Sequence, residues 1–360
     1  MKLLVLYAEL MPYNMACFKS LVNNWQATIH VVRWDKKVLT PYQPENIDGV
    51  TYYNRSAFSL EQIKSLYNTI QPDAIFVSGW MDKDYLKICK IAKQNKVPVI
   101  TSADSQWTGS IKQRLGAISA RLYFKKLFDY IMIPGAYQFE FAKRIGFKNS
   151  QILFNLYAGD VSFYSKLYQE HLPQKTNQYP KNILFLGRFA DVKNCRLLID
   201  AFTELTHPQK AAWKIYFIGN GPLEKDIPVN DNFKIYPFMS PQELAKVLPE
   251  IGLFCLPSKK EPWGVVVHEM AAYGLPLLIS NACGAATAFV KNAYNGFTFQ
   301  SENKASLQFQ LLQLFNKTDE ELLAMGNKSN QLAKQILPDI WASEMVHIMQ
   351  TKINHTTEQA

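Results

Sequence analysis

Much of what this 360-residue chain lacks is informative. It has no stretch near the ~18 consecutive apolar residues that a membrane-spanning helix needs. The opening MKLLVLYAEL has the flavour of a signal peptide, but its apolar run stops at Glu9 and no small-residue cleavage site follows, so a buried first strand is expected. Its five cysteines (Cys17, Cys89, Cys195, Cys255, Cys283) are odd in number and form no C-x-x-C pair. That excludes a disulfide framework and a structural zinc site, and it suggests a reducing, cytoplasmic setting. No His/Asp/Cys cluster has metal-ligand spacing, and the only D-x-D of note, Asp82-Lys83-Asp84, stands at a helix start and reads as a cap. No metal and no resident cofactor are expected. Glycines number only 16, and no G-x-G-x-x-G follows the first strand, which runs into AELMPYN. This argues against a dinucleotide-dependent oxidoreductase. Zinc-finger, homeodomain and RNP-type motifs are absent, so nucleic acid is not an expected partner. Nothing signals the lysine-bound pyridoxal of a phosphorylase.

Apolar residues, by contrast, are plentiful at 48%, charged residues make up 19%, and no long tract is biased. The chain is therefore expected to fold, and its length suits about two domains. The net charge of +9 is unevenly spread. Residues 1–165 hold 20 Lys/Arg against 12 Asp/Glu, a net +8, whereas residues 166–360 hold 19 against 18. Either the first half has an anionic partner or its surface is simply lysine-rich. Within that half, 110–128 reads SIKQRLGAISARLYFKKLF, with five cations and no acid. Ile111, Leu115, Ile118 and Leu122 follow helical spacing. The stripe is expected to pack on a sheet, while the basic face suits an anionic membrane surface.

Short apolar runs at 2–7, 27–33, 73–78, 97–101 and 130–133 alternate with helical patterns at 60–70 and 85–94. Continuous apolar strands between helices predict a parallel sheet covered on both faces. The polar stretch 168–182, with two prolines, reads as a domain linker. Alternation restarts with strands at 182–186, 213–218, 253–256 and 275–280, and a helix is expected over 340–353. The fold class is α/β, with domains at 1–165 and 166–338 and a final helix, 339–360, returning to the first domain.

The stretch with the most chemistry is 257–272, PSKKEPWGVVVHEMAA. It leaves a strand, turns at Pro262 and Gly264, and enters a helix near Val265 that Gly274 and Pro276 end. Glu261 then precedes the helix and Glu269 lies just over one turn inside it. A helix N-terminus is a seat for phosphate, and carboxylates accept hydrogen bonds from sugar hydroxyls. Two glutamates around that seat suit a nucleoside diphosphate sugar. Taken alone, this spacing favours a solvated loop residue at Glu261 and a surface helix residue at Glu269. Upstream, LGRFADVKN sets Gly187, Arg188 and Lys193 after a strand, where the cations could hold a diphosphate. FIGNGPL sets Gly219, Asn220 and Gly221 in a turn where backbone can approach a ligand.

Together, LGRFADVKN, IGNGPL, PSKKEPWGVVVHEMAAYGLP and the downstream AYNGFTF resemble the retaining family 4 glycosyltransferases (glycosyl transferases group 1). The resemblance implies the GT-B architecture: two Rossmann-like, doubly wound parallel-sheet domains facing across a cleft. It implies a nucleotide-sugar donor, no metal, and a glycan, lipid-linked or small-molecule acceptor, with the protein cytoplasmic or peripheral on the inner membrane face. By the same resemblance Arg188 and Lys193 would stabilise the departing diphosphate, Glu269 would hold the ribose, and Glu261 would hold the transferred sugar. Backbone around Trp263, Gly264 and Val265 would reach sugar and phosphate, and Phe238 would face the base. Three features depart from the family. AELMPYNMACF lacks the usual Gly-Gly loop, Cys283-Gly284-Ala285 and Ala288 replace a usual Gly-Gly and Glu, and ITSADSQWTGS offers Asp104 where a His is common. Asp104 is then either an acceptor-orienting, catalytic carboxylate or a turn or helix cap. A non-catalytic nucleotide-sugar-binding module and a sugar-nucleotide epimerase share this fold and remain the alternatives.

Overall fold

The computed structural model describes residues 1–36, 42–210 and 212–357, with side chains described to residue 351. The chain divides into two compact units, residues 1–159 with 336–360, and residues 160–335.

The first unit is built on a parallel sheet of β1 (Lys2–Tyr7), β2 (Thr28–Arg33), β3 (Val50–Asn54), β4 (Ala74–Val77), β5 (Val99–Ser102), β6 (Tyr130–Met132) and β7 (Ile152–Leu153). Its spatial order is β3-β2-β1-β4-β5-β6-β7. Register follows the apolar runs, with Leu4 of β1 beside His30 of β2 and Ile75 of β4. β1 and β4 are buried along almost their whole length because helices cover both faces. The terminal helix Pro338–Thr357 belongs to this unit and packs on the helix Pro12–Trp25. Trp341 is its anchor, edge-on to Phe76 at 5.7 Å and close to Phe18.

The second unit repeats the plan with β8 (Asn182–Leu186), β9 (Lys214–Ile218), β10 (Phe233–Tyr236), β11 (Leu253–Leu256), β12 (Leu277–Ser280) and β13 (Gly296–Phe299). The order is β10-β9-β8-β11-β12-β13, all parallel. The strand order therefore reverses between β8 and β11, and a doubly wound sheet opens its crevice at the carboxyl ends of those two strands.

Two expectations are corrected here. The stretch 168–182 is no linker, because the helix Val161–Asn177 runs through most of it, with Pro173 inside. Tertiary contacts outweigh its weak propensity. Lys175 is buried, its Nζ donating to the Ile251 carbonyl at 2.7 Å and lying 4.3 Å from the Tyr273 ring centroid. The helix Ile111–Phe124 does not set its aliphatic stripe on the sheet either. It seats through Ala117 and Phe124, and Ile111, Leu115, Ile118 and Leu122 face outward.

Candidate active site

The two loops at the reversal point of the second unit carry most of the residues singled out in the sequence. After β8 the chain runs through Gly187 and Arg188 to a short 3-10 turn, Asp191–Lys193. After β11 it runs through 257–264 to the helix Val265–Ala272. Because β8 and β11 are neighbours, the loops meet. The Lys259 N–H donates to the Val192 carbonyl at 2.9 Å, and its Nζ pairs with Asp191 at 2.7 Å. Lys193 Nζ forms an ion pair with the Glu261 carboxylate, and both side chains are largely buried. Arg188, in the loop after β8, is exposed.

Gly264 caps the helix at φ +93°, where an L side chain is strained. A Cβ there would also lie 3.0 Å from Cys283 Sγ and 3.1 Å from Glu261 Cγ. The cap turns the chain so that Glu261 lies just ahead of the first helical residues; the Val267 N–H donates to the Gly264 carbonyl at 3.0 Å, and the N–H groups of Val265 and Val266 precede the first intrahelical bonds. Trp263 is buried, and its carbonyl accepts from the Ala285 N–H and Cys283 Sγ, each at 2.9 Å. This explains the Cys283-Gly284-Ala285 sequence, where the thiol and backbone brace the loop and a Cβ at Gly284 would meet the Pro262 carbonyl at 2.2 Å.

Glu269 lies one turn further in, against the helix Val161–Asn177. Burial, reinforced by the like charge of Asp160, raises its carboxyl from 4.5 to about 7. Its neighbour His268 is a core residue. Its ring stacks on Phe289 at 4.2 Å, and Nε2 donates to the Ala333 carbonyl at 2.9 Å; burial lowers it to about 4. The raised Glu269 carboxyl gives a testable pH signature. A carboxyl raised on folding contributes no penalty below 4.5 and destabilises progressively as pH rises through about 7. Wild type should therefore lose melting temperature relative to Glu269→Gln over that interval. His268 acts in the opposite direction but cancels in the difference between the two proteins. Parallel melting curves across the interval would contradict the raised carboxyl.

The turn holding Gly219, Asn220 and Gly221 packs closely on the loop after β8. Its glycines serve close approach to backbone of the neighbouring loop. A Cβ at Gly219 would lie 2.0 Å from the Gly187 carbonyl oxygen, and one at Gly221 2.4 Å from that of Phe189. The Phe189 N–H donates to the Asn220 carbonyl at 2.9 Å. Asn220 Oδ1 in turn accepts from the Phe238 N–H at 2.8 Å and fixes that segment after β10, with the Phe238 ring partly exposed.

Asp104 belongs to the first unit, just beyond β5. It does not cap the helix that follows, which is capped by Ser110 through the Gln113 N–H. Its Oδ2 accepts from the Tyr157 hydroxyl at 3.3 Å, and its carbonyl accepts from Gln138 Nε2 at 3.1 Å. Tyr13 meets Tyr157 edge-on at 5.0 Å. Burial and the nearby Asp104 charge hold the hydroxyls of Tyr7, Tyr13 and Tyr157 protonated. The sequence carries no signal for these tyrosines, since Tyr157 is 53 residues from Asp104.

Residues 169–332 match the model of the family described as glycosyl transferases group 1. An uncharacterized glycosyltransferase of Haemophilus influenzae is 25% identical over 161 residues, 43% of this chain and 44% of that protein. The 2-deoxystreptamine N-acetyl-D-glucosaminyltransferase of Niallia circulans is 31% identical over 137 residues, 36% of this chain and 33% of that protein. The matches span less than half the length of these curated relatives. Among solved structures, Anabaena HepE in complex with UDP and glucose aligns over the full length of both chains at 16% identity, with a TM-score of 0.66. That likeness identifies the two-sheet fold as GT-B.

Proposed function

We propose that this chain, whose residues 169–332 match the model of the glycosyl transferases group 1 and whose fold is GT-B, is a retaining glycosyltransferase of that family. In this reading it moves a sugar from a nucleoside diphosphate sugar to a hydroxyl of a glycan, lipid-linked or small-molecule acceptor, without a metal. The observation that carries the reading is the Lys193–Glu261 ion pair at the head of the helix Val265–Ala272. It sets a cation for phosphate and a carboxylate for sugar hydroxyls at the reversal point of the sheet, where such folds bind ligands.

The chemistry follows from charge. As the bond between the anomeric carbon and the phosphate oxygen breaks, negative charge grows on the diphosphate. Arg188, Lys193 and the helix N–H groups are donors for that charge, and they act most strongly when it is largest. Glu261 would release Lys193 to the phosphate and take hydroxyls of the transferred sugar. Glu269 would accept from the ribose hydroxyls, a contact that favours its ionised form. The acceptor oxygen forms the new bond from the side of the departing phosphate, and its proton passes to a phosphate oxygen, so no enzymatic nucleophile is needed. Asp104, hydrogen-bonded by Tyr157, is the candidate for orienting an acceptor hydroxyl in the first unit.

HepE was crystallised with UDP and glucose, so uridine diphosphate sugars are the first donors to test. Purified protein with chelator should release nucleotide slowly from one member of a panel of UDP-, GDP-, ADP- and dTDP-sugars. Once an acceptor is found, NMR of the product should show the donor's anomeric configuration. Inversion would overturn the retaining step. Donor binding with no release under any condition would favour the non-catalytic binding module.

A further inference from the structure

The helix Ile111–Phe124 is apolar on two opposite faces. One face is accounted for: Ala117 and Phe124 are buried, Ala120 packs on the core, and the Phe124 ring lies 4.6 Å from that of Trp80. The other face carries Ile111, Leu115, Ile118 and Leu122, exposed to 77%, 65%, 65% and 73%. At about 100° per residue these four fall within roughly 60° of arc. They form a continuous aliphatic ridge, the kind of exposed patch that marks an interaction surface.

The charges around the ridge decide what meets it. Arg114 and Arg121 flank one side of it and Lys112 the other, with Lys125 and Lys126 in the turn that follows. All of 110–128 contains no acidic residue. A second copy of the chain docked on this ridge would set five cations against five at close range. A bilayer of anionic lipids meets both features: the aliphatic tips enter the boundary of the acyl region, Lys112, Lys125 and Lys126 reach the headgroup phosphates on flexible stems, and Arg114 and Arg121, whose Nε atoms donate to the Gly109 and Arg144 carbonyls at 2.9 Å, hold fixed positive charge beside the ridge. We propose that the helix Ile111–Phe124 is a monotopic docking element that seats the first unit on an anionic membrane surface through Ile111, Leu115, Ile118 and Leu122. No helix of the described residues is long and apolar enough to cross a membrane, so the contact is peripheral. The docking stands without the transferase reading. If that reading holds, Asp104, seven residues before the helix, would bring an acceptor site to the lipid surface.

The test is co-sedimentation of the full chain with sucrose-loaded vesicles, of phosphatidylcholine alone or with about one-third phosphatidylglycerol, over a salt series. Wild type should pellet with the anionic vesicles, stay in solution with the neutral ones, and dissociate as salt rises. Leu115→Ser combined with Ile118→Ser should weaken partitioning by about tenfold or more. Lys125→Gln combined with Lys126→Gln should weaken it too and flatten the salt dependence. All four positions are exposed, so unchanged circular dichroism and melting should accompany the loss. Wild type remaining in solution with anionic vesicles would overturn the proposal. So would a Leu115/Ile118 variant that binds like wild type, or one that instead converts a dimer to a monomer in sedimentation velocity.

Discussion

Arg188→Ala is expected to lower turnover by about 10²–10³ with little change in melting temperature. The side chain is exposed and makes no ion pair among the described residues, so its loss opens no cavity and strands no buried charge. Surface changes of that kind usually stay within about 0.5 kcal/mol of stability. The catalytic effect is large for the opposite reason. In the proposed reaction the guanidinium would face the phosphate charge as it grows, and an oriented donor removed from a transition state is replaced there by poorly oriented water. Arg188→Lys should recover only part of the loss, since a single ammonium cannot reproduce the planar fork that grips phosphate oxygens. Steady-state rates beside thermal melts decide the matter. A variant with full turnover would remove Arg188 from the reaction. Lys193→Ala is the less clean experiment, because it also leaves the Glu261 carboxylate without its partner in a largely buried position.

Gly219→Ala should be the most damaging single-methyl change in the second unit's site, destabilising by roughly 3 kcal/mol. Its Cβ would lie 2.0 Å from the Gly187 carbonyl oxygen, less than any tolerated contact. The obstacle is backbone, held by the bond from the Gly187 N–H to the Ile218 carbonyl at 3.0 Å, so no side chain can swing aside. The structure can relieve the clash only by parting the β8 loop from the β9 loop. That movement displaces Arg188, the next residue, so surviving folded protein should lose turnover as well as stability. Gly116→Ala is the matching control, with nothing within 4 Å of the added carbon, and it should be neutral or slightly stabilising on a helix. Equal melting temperatures for the two variants would contradict the packing described here.

Much of this was legible in the sequence, and the failures have physical causes. Strands such as Asn182–Leu186 and Leu253–Leu256 announced themselves as short, fully buried apolar runs, and the turn at Gly264 placed the following helix at Val265. β3 (Val50–Asn54) was not legible because an edge strand is only half-covered and its residues, VTYYN, carry no such run. The stretch 168–182 read as a linker because Pro173 and its polar neighbours lack helical preference, whereas burial of Lys175 under Tyr273 is a tertiary effect. The helix Ile111–Phe124 misled because periodicity finds a stripe without saying which face meets the core. Pairing was the hardest part. Lys193 and Glu261 stand 68 residues apart, and only the adjacency of β8 and β11 makes them partners. The tyrosines around Asp104 are likewise gathered by the sheet from distant parts of the chain.

The most direct test of the central claim is nucleotide-sugar binding by thermal shift, without added metal, on wild type, Arg188→Ala and Glu261→Ala. One nucleotide sugar should raise the melting temperature of wild type, and both substitutions should abolish or sharply reduce that rise. If no donor shifts wild type, or if the shift survives unchanged in both variants, the loops after β8 and β11 are not the donor site.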